Sequence, residues 1–201
     1  MVEICPLELK DCLAVAEAHA NYLRTPFRGN AGIRVLKIRY EAIASQKGGI
    51  GFVALDDGKF VGFACGIWDP GAISQSIRKK WSRLILNGIK YVIRSPGMIL
   101  GLIRRMMNPH TTGIIKIEGY ELRPIVVLPD HRGRGIANQL TQRVLDDAKQ
   151  RGYREIILFT EVDNLRAAKF YTKFGFNFER KLNMAGYVYK LFRYHFPTDG
   201  A

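Results

Sequence analysis

Residues 126–140 read VVLPDHRGRGIANQL. The stretch begins with apolar, β-branched residues that favour a strand, and it crosses Pro129 before two arginines and two glycines fill four consecutive positions. The following residues, GIANQLTQRVLDDAKQRG, have helical periodicity, and Gly152 is typical of a helix C-terminus. The sequence therefore predicts a strand, a glycine-rich turn and a helix, in that order.

The turn before this helix is suited to binding an anion. The first N–H groups of a helix have no partner within the helix, and the helix dipole adds partial positive charge there. Gly133 and Gly135 would let phosphate oxygens approach the main chain, and Arg132 and Arg134 add two full charges. A basic turn that only faces solvent is the alternative. Two phosphate motifs are excluded, since no G-x-x-x-x-G-K-[ST] occurs and Asn138 breaks the pattern G-x-G-x-x-G.

Length and composition indicate one soluble globular domain over residues 1–201. The chain is 47% hydrophobic and 24% charged, and Cys5, Cys12 and Cys65 lack the spacing of a metal site or a disulfide framework. We therefore expect a cytoplasmic protein without a metal, and the N-terminus shows no secretory signal. The formal net charge of +13 indicates an anionic partner, which could be nucleic acid, a membrane surface or a ligand with phosphate groups.

Hydrophobic periodicity predicts a mixed α/β chain. After one short strand, LELKDCLAVAEAHANYL and IRVLKIRYEAIASQ are predicted helices. Asp57-Gly58 is a strong hairpin signal between two β-rich runs, and the segment FNFERKLNMAGYVYKLFRYHF is predicted to form a final hairpin after a helix that ends at Gly175. The strands with predicted bounds lie at about residues 50–56, 59–68, 120–128 and 154–161.

Two motifs in the second half resemble those of the GCN5-related N-acetyltransferase (GNAT) family. Arg132, Gly135 and Ala137 match its central pattern of Arg or Gln, two residues, Gly, one residue, and Gly or Ala. The segment NLRAAKFYTKFGF is similar to a later family segment through Asn164, Ala167, Phe170, Tyr171, Gly175 and Phe176. The resemblance covers about residues 112–180. It implies an α/β GNAT fold, with a central mixed sheet of about six to seven strands flanked by helices and a helical insertion between the third and fourth strands.

The resemblance also implies acetyl-CoA as the cosubstrate and direct transfer of its acetyl group to a primary amine in a ternary complex. In this family the glycine-rich turn binds the coenzyme pyrophosphate, and two parallel strands, here 120–128 and 154–161, part to admit the pantetheine arm. The main chain at Val127 would stabilise the oxyanion. The coenzyme-binding residues implied here are Ile125, Val127, Arg132, Gly133, Arg134, Gly135, Ile136, Ala137, Asn164 and Ala167.

The same resemblance implies an acid and a base. Tyr171 matches the family's usual proton donor to the departing thiolate, and a core aromatic is the alternative. Glu121 lies where the histone-acetylating branch carries its catalytic glutamate, and Glu118 and Glu161 are the other candidates. An ordinary strand glutamate is the alternative for Glu121. Neither motif contains a cysteine, so we expect direct attack rather than an acyl-cysteine intermediate. Arg166 and Lys169 would either reach the adenine-side phosphates or face solvent.

A basic segment, residues 73–107, falls between the third and fourth predicted strands. It carries +8 of the net charge of +13 and no acidic residue. Apolar residues recur at helical spacing, and Ser95-Pro96 is typical of a second helix start, so a helical hairpin is predicted. Its charges interrupt it too often for a membrane span of about 20 residues. Three roles remain open, namely packing on the sheet, a lid favouring an anionic acceptor, and peripheral binding to anionic lipid.

Other functions remain as alternatives to the N-acyltransferase. One is a coenzyme A sensor without catalysis, and another is a basic module that binds nucleic acid or membrane. Nucleic acid is disfavoured because no recognisable binding motif accompanies the basic residues. The acceptor, either a small-molecule or a peptide amine, and a homodimer are both left open by the sequence.

Overall fold

The computed structural model of the chain describes residues 1–87, 119–184 and 187–197. Short 3₁₀ turns, Leu9–Asp11 and Pro129–His131, precede two of the helices. The helices of the described residues are α1 (Cys12–Tyr22), α2 (Gly29–Ala44), α3 (Pro70–Asn87), α4 (Ile136–Gln150) and α5 (Leu165–Lys173). The strands are β1 (Val2–Pro6), β2 (Gly49–Asp56), β3 (Lys59–Ile67), β4 (Tyr120–Val127), β5 (Glu155–Glu161), β6 (Asn177–Met184) and β7 (Tyr187–His195).

The described strands form one seven-stranded mixed sheet in the order β1-β2-β3-β4-β5-β7-β6. Neighbouring strands are antiparallel except β4 and β5, which run parallel in the middle of the sheet. A parallel pair needs a crossover connection, and α4 is the helix that links β4 to β5. The prediction of an α/β fold with six to seven strands is confirmed.

The β2–β3 hairpin forms as its turn residues predict. Asp57 and Gly58 both have positive φ, 49° and 75°, which is the backbone of a type I′ turn. Asp56 pairs with Lys59 directly beside the turn, so the two turn residues set the register. The final hairpin is also confirmed, since β6 and β7 pair antiparallel along their length.

Each face of the sheet has its own apolar core. The first core packs α1 and α2 against β3 and includes Val15, Tyr40 and Phe63. The second packs α4 on the opposite face through Leu140 and Val144. The sheet is therefore covered on both faces, as a central parallel pair requires.

Tyr120 fixes the start of β4 against α4. Its buried hydroxyl donates to Asp147 Oδ2 at 2.7 Å. The ring crosses Gly66 of β3 so closely that a Cβ there would lie 2.1 Å from the Tyr120 hydroxyl. A side chain at position 66 would push Tyr120 away, so this contact requires glycine.

The insertion between β3 and β4 begins as a helix docked on α2. The Asp69 carboxylate accepts from the Ala72 amide at 2.9 Å, and Pro70 is the first helical residue, so α3 starts three residues earlier than predicted. Glu41 of α2 pairs with Lys80 at 2.7 Å and with Lys37 at 2.8 Å. The first helix of the predicted hairpin is confirmed, whereas the predicted second helix from Ser95-Pro96 lies outside the described residues.

Among the helices that the structure describes, none is both long enough and apolar enough to span a bilayer.

Candidate active site

The parallel strands β4 and β5 pair only where they begin. Tyr120 pairs with Ile156 and Glu121 with Ile157, and no further pairs join them. Beyond this point β4 continues along β3, and β5 continues along β7. The strands therefore part toward their carboxyl ends, which confirms the expected opening in the sheet.

A bulge at Pro124 accompanies the opening. Ala64 pairs with Ile125 and Cys65 with Arg123, so Pro124 is the extra residue of β4. Proline has no N–H, and a bulge is a position in a sheet where this causes no loss of a ladder hydrogen bond. A bulged strand bends, and this bulge lies just beyond the residues at which β4 stops pairing with β5.

Beyond the bulge, β4 turns backbone groups into the opening. The Leu128 amide donates to the Val61 carbonyl of β3 at 2.9 Å. Backbone groups of successive strand residues point alternately to the two neighbours. The N–H and C=O groups of Ile125 and Val127 therefore point away from β3 and toward β5. Main-chain donors and acceptors thus line the opening at Ile125 and Val127, the two positions that the family resemblance implies.

The two glycines of the turn after β4 have a left-handed backbone. Gly133 and Gly135 have φ values of 80° and 76°. A Cβ at either glycine would meet no protein atom within 4 Å, so the space above the turn is open. The positive φ, rather than crowding, therefore explains why glycine occupies these two positions. Gly135 is the residue before α4 and supplies no side-chain cap, so the N–H groups of Ile136 and Ala137 lie at an uncapped helix N-terminus.

Both arginines of the turn are held by protein groups. Arg132 Nε donates to the Val127 carbonyl at 3.0 Å. Arg134 Nη1 donates to Asp56 Oδ2 at 2.6 Å and lies 3.0 Å from His131 Nδ1. The Arg134 hydrogen bond lowers the pKa of the Asp56 carboxyl, so Asp56 is ionised at neutral pH. Sequence reasoning did not find Asp56, because it comes from the distant β2–β3 hairpin.

Asn164 has a structural role at the start of α5. Its side-chain Oδ1 accepts from the Ala167 amide at 3.0 Å, so Asn164 caps the helix and the Ala167 N–H is already engaged. The Asn164 side-chain amide makes no hydrogen bond to the described part of the chain. Arg166 and Lys169 are exposed, and Lys169 lines a groove of about 410 Å³ together with Leu165, Ala168, Thr172 and Lys173.

Tyr171 packs on the α4 face of the sheet. It joins the same apolar core as Ile125 and Val127, and its ring meets Phe176 edge-on at 5.7 Å. Burial raises the pKa of its phenol, so the hydroxyl remains protonated at neutral pH. This hydroxyl makes no hydrogen bond to the described residues. A protonated, uncommitted hydroxyl is suited to donating a proton to a ligand.

Glu121 lies on the opposite face of the sheet. Tyr120 and Leu122 point into the α4-side core, so Glu121 between them points toward α1 and α2. Its side chain is 14% exposed, and its Oε2 lies 2.8 Å from Arg123 Nη2. The candidate base is thus partly buried and paired, rather than an ordinary solvent-facing strand glutamate.

The other candidate bases are placed differently. Glu161 lies at the end of β5, where Arg24 Nη1 donates to its Oε2 at 3.4 Å. The Arg24 guanidinium also sits 5.5 Å from the Tyr187 ring centre in the last hairpin. The connection between α1 and α2 therefore reaches across the end of β5. Glu118 lies outside the described residues.

The cysteines offer no nucleophile to this site. All three cysteines are free thiols, and burial raises the pKa of Cys12 to about 11 and of Cys65 to about 12. Such thiols carry little thiolate and are poor nucleophiles at neutral pH. In residues 1–87, 119–184 and 187–197, no group of three or more His, Cys, Asp or Glu side chains could hold a metal ion.

Comparisons with known proteins agree with this geometry. The model of the acetyltransferase (GNAT) family matches residues 16–176. N-alpha-acetyltransferase 30 of Schizosaccharomyces pombe is 47% identical over 60 residues, which are 30% of this chain and 39% of that protein. An acetyltransferase of Salmonella typhimurium, solved with its cofactor acetyl-CoA, has a TM-score of 0.62 at 16% identity, covering 100% of this chain and 96% of that one. The chain spans about half or less of the curated relatives it matches.

Proposed function

Because the chain belongs to the acetyltransferase (GNAT) family, we propose that it transfers an acetyl group from acetyl-CoA to a primary amine. In this proposal residues 1–201 act as one acetyltransferase domain. The observation that carries it is the combination of an opening between β4 and β5 with an uncapped, glycine-rich helix N-terminus at its end.

The coenzyme would bind along β4. The pyrophosphate would accept from the N–H groups of the turn at Gly133, Gly135, Ile136 and Ala137, with Arg132 and Arg134 beside it. The pantetheine arm would occupy the opening and pair with the main chain of Ile125 and Val127, as an added strand would. Asn164 would donate to the coenzyme from its side-chain amide. Ala167 would contribute close packing against the coenzyme, because its N–H already donates to Asn164.

The amine would attack the thioester carbonyl directly. An alkylamine with a pKa of about 10 is mostly protonated at neutral pH, so a base must remove a proton. Glu121 is the proposed base, and an N–H turned into the opening at Val127 would stabilise the oxyanion. The coenzyme A thiolate would then leave and take a proton from the Tyr171 hydroxyl. Because a thiol has a pKa of about 8.5, this acid assists a group that already leaves readily.

A pair of glycine variants tests coenzyme binding. Gly135 and Gly152 flank the same helix, have φ values of 76° and 80°, and leave open space for a Cβ. Replacing either with alanine should therefore cost similar stability, about 1–2 kcal/mol. Only Gly135→Ala places a methyl group against the pyrophosphate, so calorimetry should show at least tenfold weaker acetyl-CoA binding there. Equal affinities in the two variants would contradict the assignment.

We also propose that the basic insertion lies on the acceptor side of the site. Lys80 is a poor probe, because its pair with Glu41 holds α3 on α2. Arg78 is exposed on α3, so Arg78→Glu should raise the acceptor KM severalfold and leave the acetyl-CoA KM unchanged. Arg180→Glu, on the distant strand β6, is the control with the same charge change. Sedimentation with anionic vesicles that is lost in Arg78→Glu would instead favour a membrane contact.

A further inference from the structure

Two arginines lie beside the candidate base Glu121. Arg123 follows it on the same face of β4, two residues beyond the last residue that pairs with β5. Arg39 lies one turn of α2 from each of the buried residues Val35 and Ile43, so it belongs to the helix face that is turned toward the protein interior. Burial and, after it, the charge of Arg123 lower the pKa of its guanidinium, whereas the charge of Glu121 raises it. All three groups therefore stand where the strands part, on the side of the sheet covered by α1 and α2.

The cluster carries more positive than negative charge. One carboxylate, Glu121, lies beside two guanidinium groups. The other titratable groups that interact with Arg39 are His19, Tyr40 and Cys65, and His19 is neutral at physiological pH because burial lowers its pKa to about 3. Burial raises the pKa of Cys65 to about 12 and that of Tyr40 well above its usual value, so both are neutral at physiological pH. Among the residues that the structure describes, one positive charge of the cluster thus has no counterion.

Hydrogen bonding in the cluster is also incomplete. Arg123 Nε is buried without a hydrogen-bond partner, and no other side-chain nitrogen or oxygen of the described residues is in that position. Arg39 makes no hydrogen bond to the described part of the chain. A partly buried guanidinium without partners costs free energy, and this cost is removed when an anion binds.

An anion could reach this cluster. The Arg123 side chain is 30% exposed, and Arg39 is also partly exposed. Arginine presents a planar set of N–H donors that fits carboxylate and phosphate groups. Arg123 uses only one of its nitrogens on Glu121, so others remain for a ligand.

The coenzyme phosphates do not explain the cluster. From Arg123 to Leu128 the chain advances five residues, roughly 16 Å along a strand, before the glycine-rich turn begins. The pyrophosphate would bind at that far end. An anion bound at Arg39 and Arg123 would therefore belong to another molecule, and the amine acceptor is the one that would approach the proposed base Glu121.

We propose that Arg39 and Arg123 bind an anionic group of the acceptor, a carboxylate or a phosphate, while Glu121 takes the proton from its amine. This inference rests on the proposed acetyltransferase function. Because Glu121 and Arg123 touch each other, the amine and the anion belong to the same small moiety of the acceptor. The acceptor class is therefore a short amino acid or a phosphorylated amine rather than a polyamine.

The first test measures anion binding directly. The protein is saturated with coenzyme A, which fills the phosphate-binding turn, and is titrated with inorganic phosphate and with acetate. We expect saturable binding of at least one anion, weakened at least tenfold by Arg123→Gln and by Arg39→Gln. Arg34→Gln is the control, because it removes the same charge from an exposed position of the same helix, α2. Absence of saturable binding, or equal binding by all variants, overturns the proposal.

A second test uses turnover and separates the two anions. Ethanolamine is compared with its phosphate ester, and β-alaninamide with β-alanine, as acceptors. In at least one pair, the anionic acceptor should have a higher kcat/KM than its neutral partner. The ratio of these two kcat/KM values should fall at least tenfold in Arg39→Gln, a variant that leaves the Glu121–Arg123 pair in place. An unchanged ratio in that variant overturns the proposal. Failure to bind coenzyme A at all would instead contradict the acetyltransferase assignment.

Discussion

Acidification should destabilise the protein through one buried histidine. His19 of α1 is 8% exposed, and its Nδ1 lies 2.6 Å from the Tyr40 hydroxyl of α2. Burial, assisted by the charge of Arg39, lowers the pKa of His19 to about 3. The Tyr40 phenol stays protonated, so its hydroxyl can donate to an unprotonated Nδ1 or accept from a protonated one. The cost of protonating His19 is therefore the burial of its positive charge between the two helices.

The size and sign of the effect follow from linkage. The unfolded chain takes up the proton near pH 6.5, whereas the folded chain resists it down to about pH 3. The contribution of neutral His19 is therefore complete above pH 6.5 and is lost as the pH falls below that value. Between pH 8 and pH 5 the loss is about 2 kcal/mol. Asp56 and Glu41 have pKa values below their usual 3.8 and 4.5, so they remain largely ionised across this window.

Urea unfolding of the wild type and of His19→Asn at pH 8, 7, 6 and 5 measures this loss. The variant lacks the titrating group but keeps a polar side chain near Tyr40, so its free energy of unfolding should fall by about 2 kcal/mol less than that of the wild type. Other histidines contribute equally to both proteins and cancel in the difference. Parallel pH dependence of the two proteins would refute the reasoning, whatever their absolute stabilities.

Two further predictions concern the chemistry. Tyr171→Phe should lower kcat by about 10²-fold, which is the lower end of the range for a general acid. The acetyl-CoA affinity measured by calorimetry should stay within about twofold, because the aromatic ring remains. An unchanged kcat would exclude Tyr171 as the acid. Glu121→Gln should lower kcat/KM by about 10²-fold at pH 7 and make it rise with pH as the free amine becomes available; a pH profile like that of the wild type would show that another group, such as Glu161, removes the proton.

Local signals predicted most of the fold. Asp57-Gly58 specifies its own turn, and the run from Val126 to Ala137 specifies strand, turn and helix through residues that are neighbours in sequence. The start of α3 was predicted three residues late, because apolar periodicity begins at Ile73 whereas the helix is set by the Asp69 cap. Helix ends depend on single side-chain hydrogen bonds, which periodicity does not report.

The candidate site was predicted only where its residues belong to one segment. The glycines and arginines of the turn are contiguous, but Asp56, which orients Arg134, comes from a hairpin 78 residues earlier. Arg39 faces Glu121 only because α2 packs on the sheet, and nothing in the surrounding sequence distinguishes it from Arg34. Charge pairing between distant elements is fixed by the tertiary structure, so a single sequence gives no local signal for it.

The parting of β4 and β5 connects the two faces of the sheet at the place where the proposed reaction needs it. Tyr171 belongs to the α4 face, whereas Glu121 points toward α1 and α2. In a fully paired sheet, backbone hydrogen bonds would fill the space between these groups, and no substrate could contact both. Pairing between β4 and β5 stops at Glu121 and Ile157, so the main chain of Ile125 and Val127 makes no ladder hydrogen bonds to β5. In the proposed complex, these backbone groups would bind the thioester, which would lie between Tyr171 and Glu121. A coenzyme entering along one face and an acceptor from the other would then meet in the gap, with the base on the acceptor side and the acid on the thiol side. In the proposed direct transfer, the acid and the base would therefore be two separate residues.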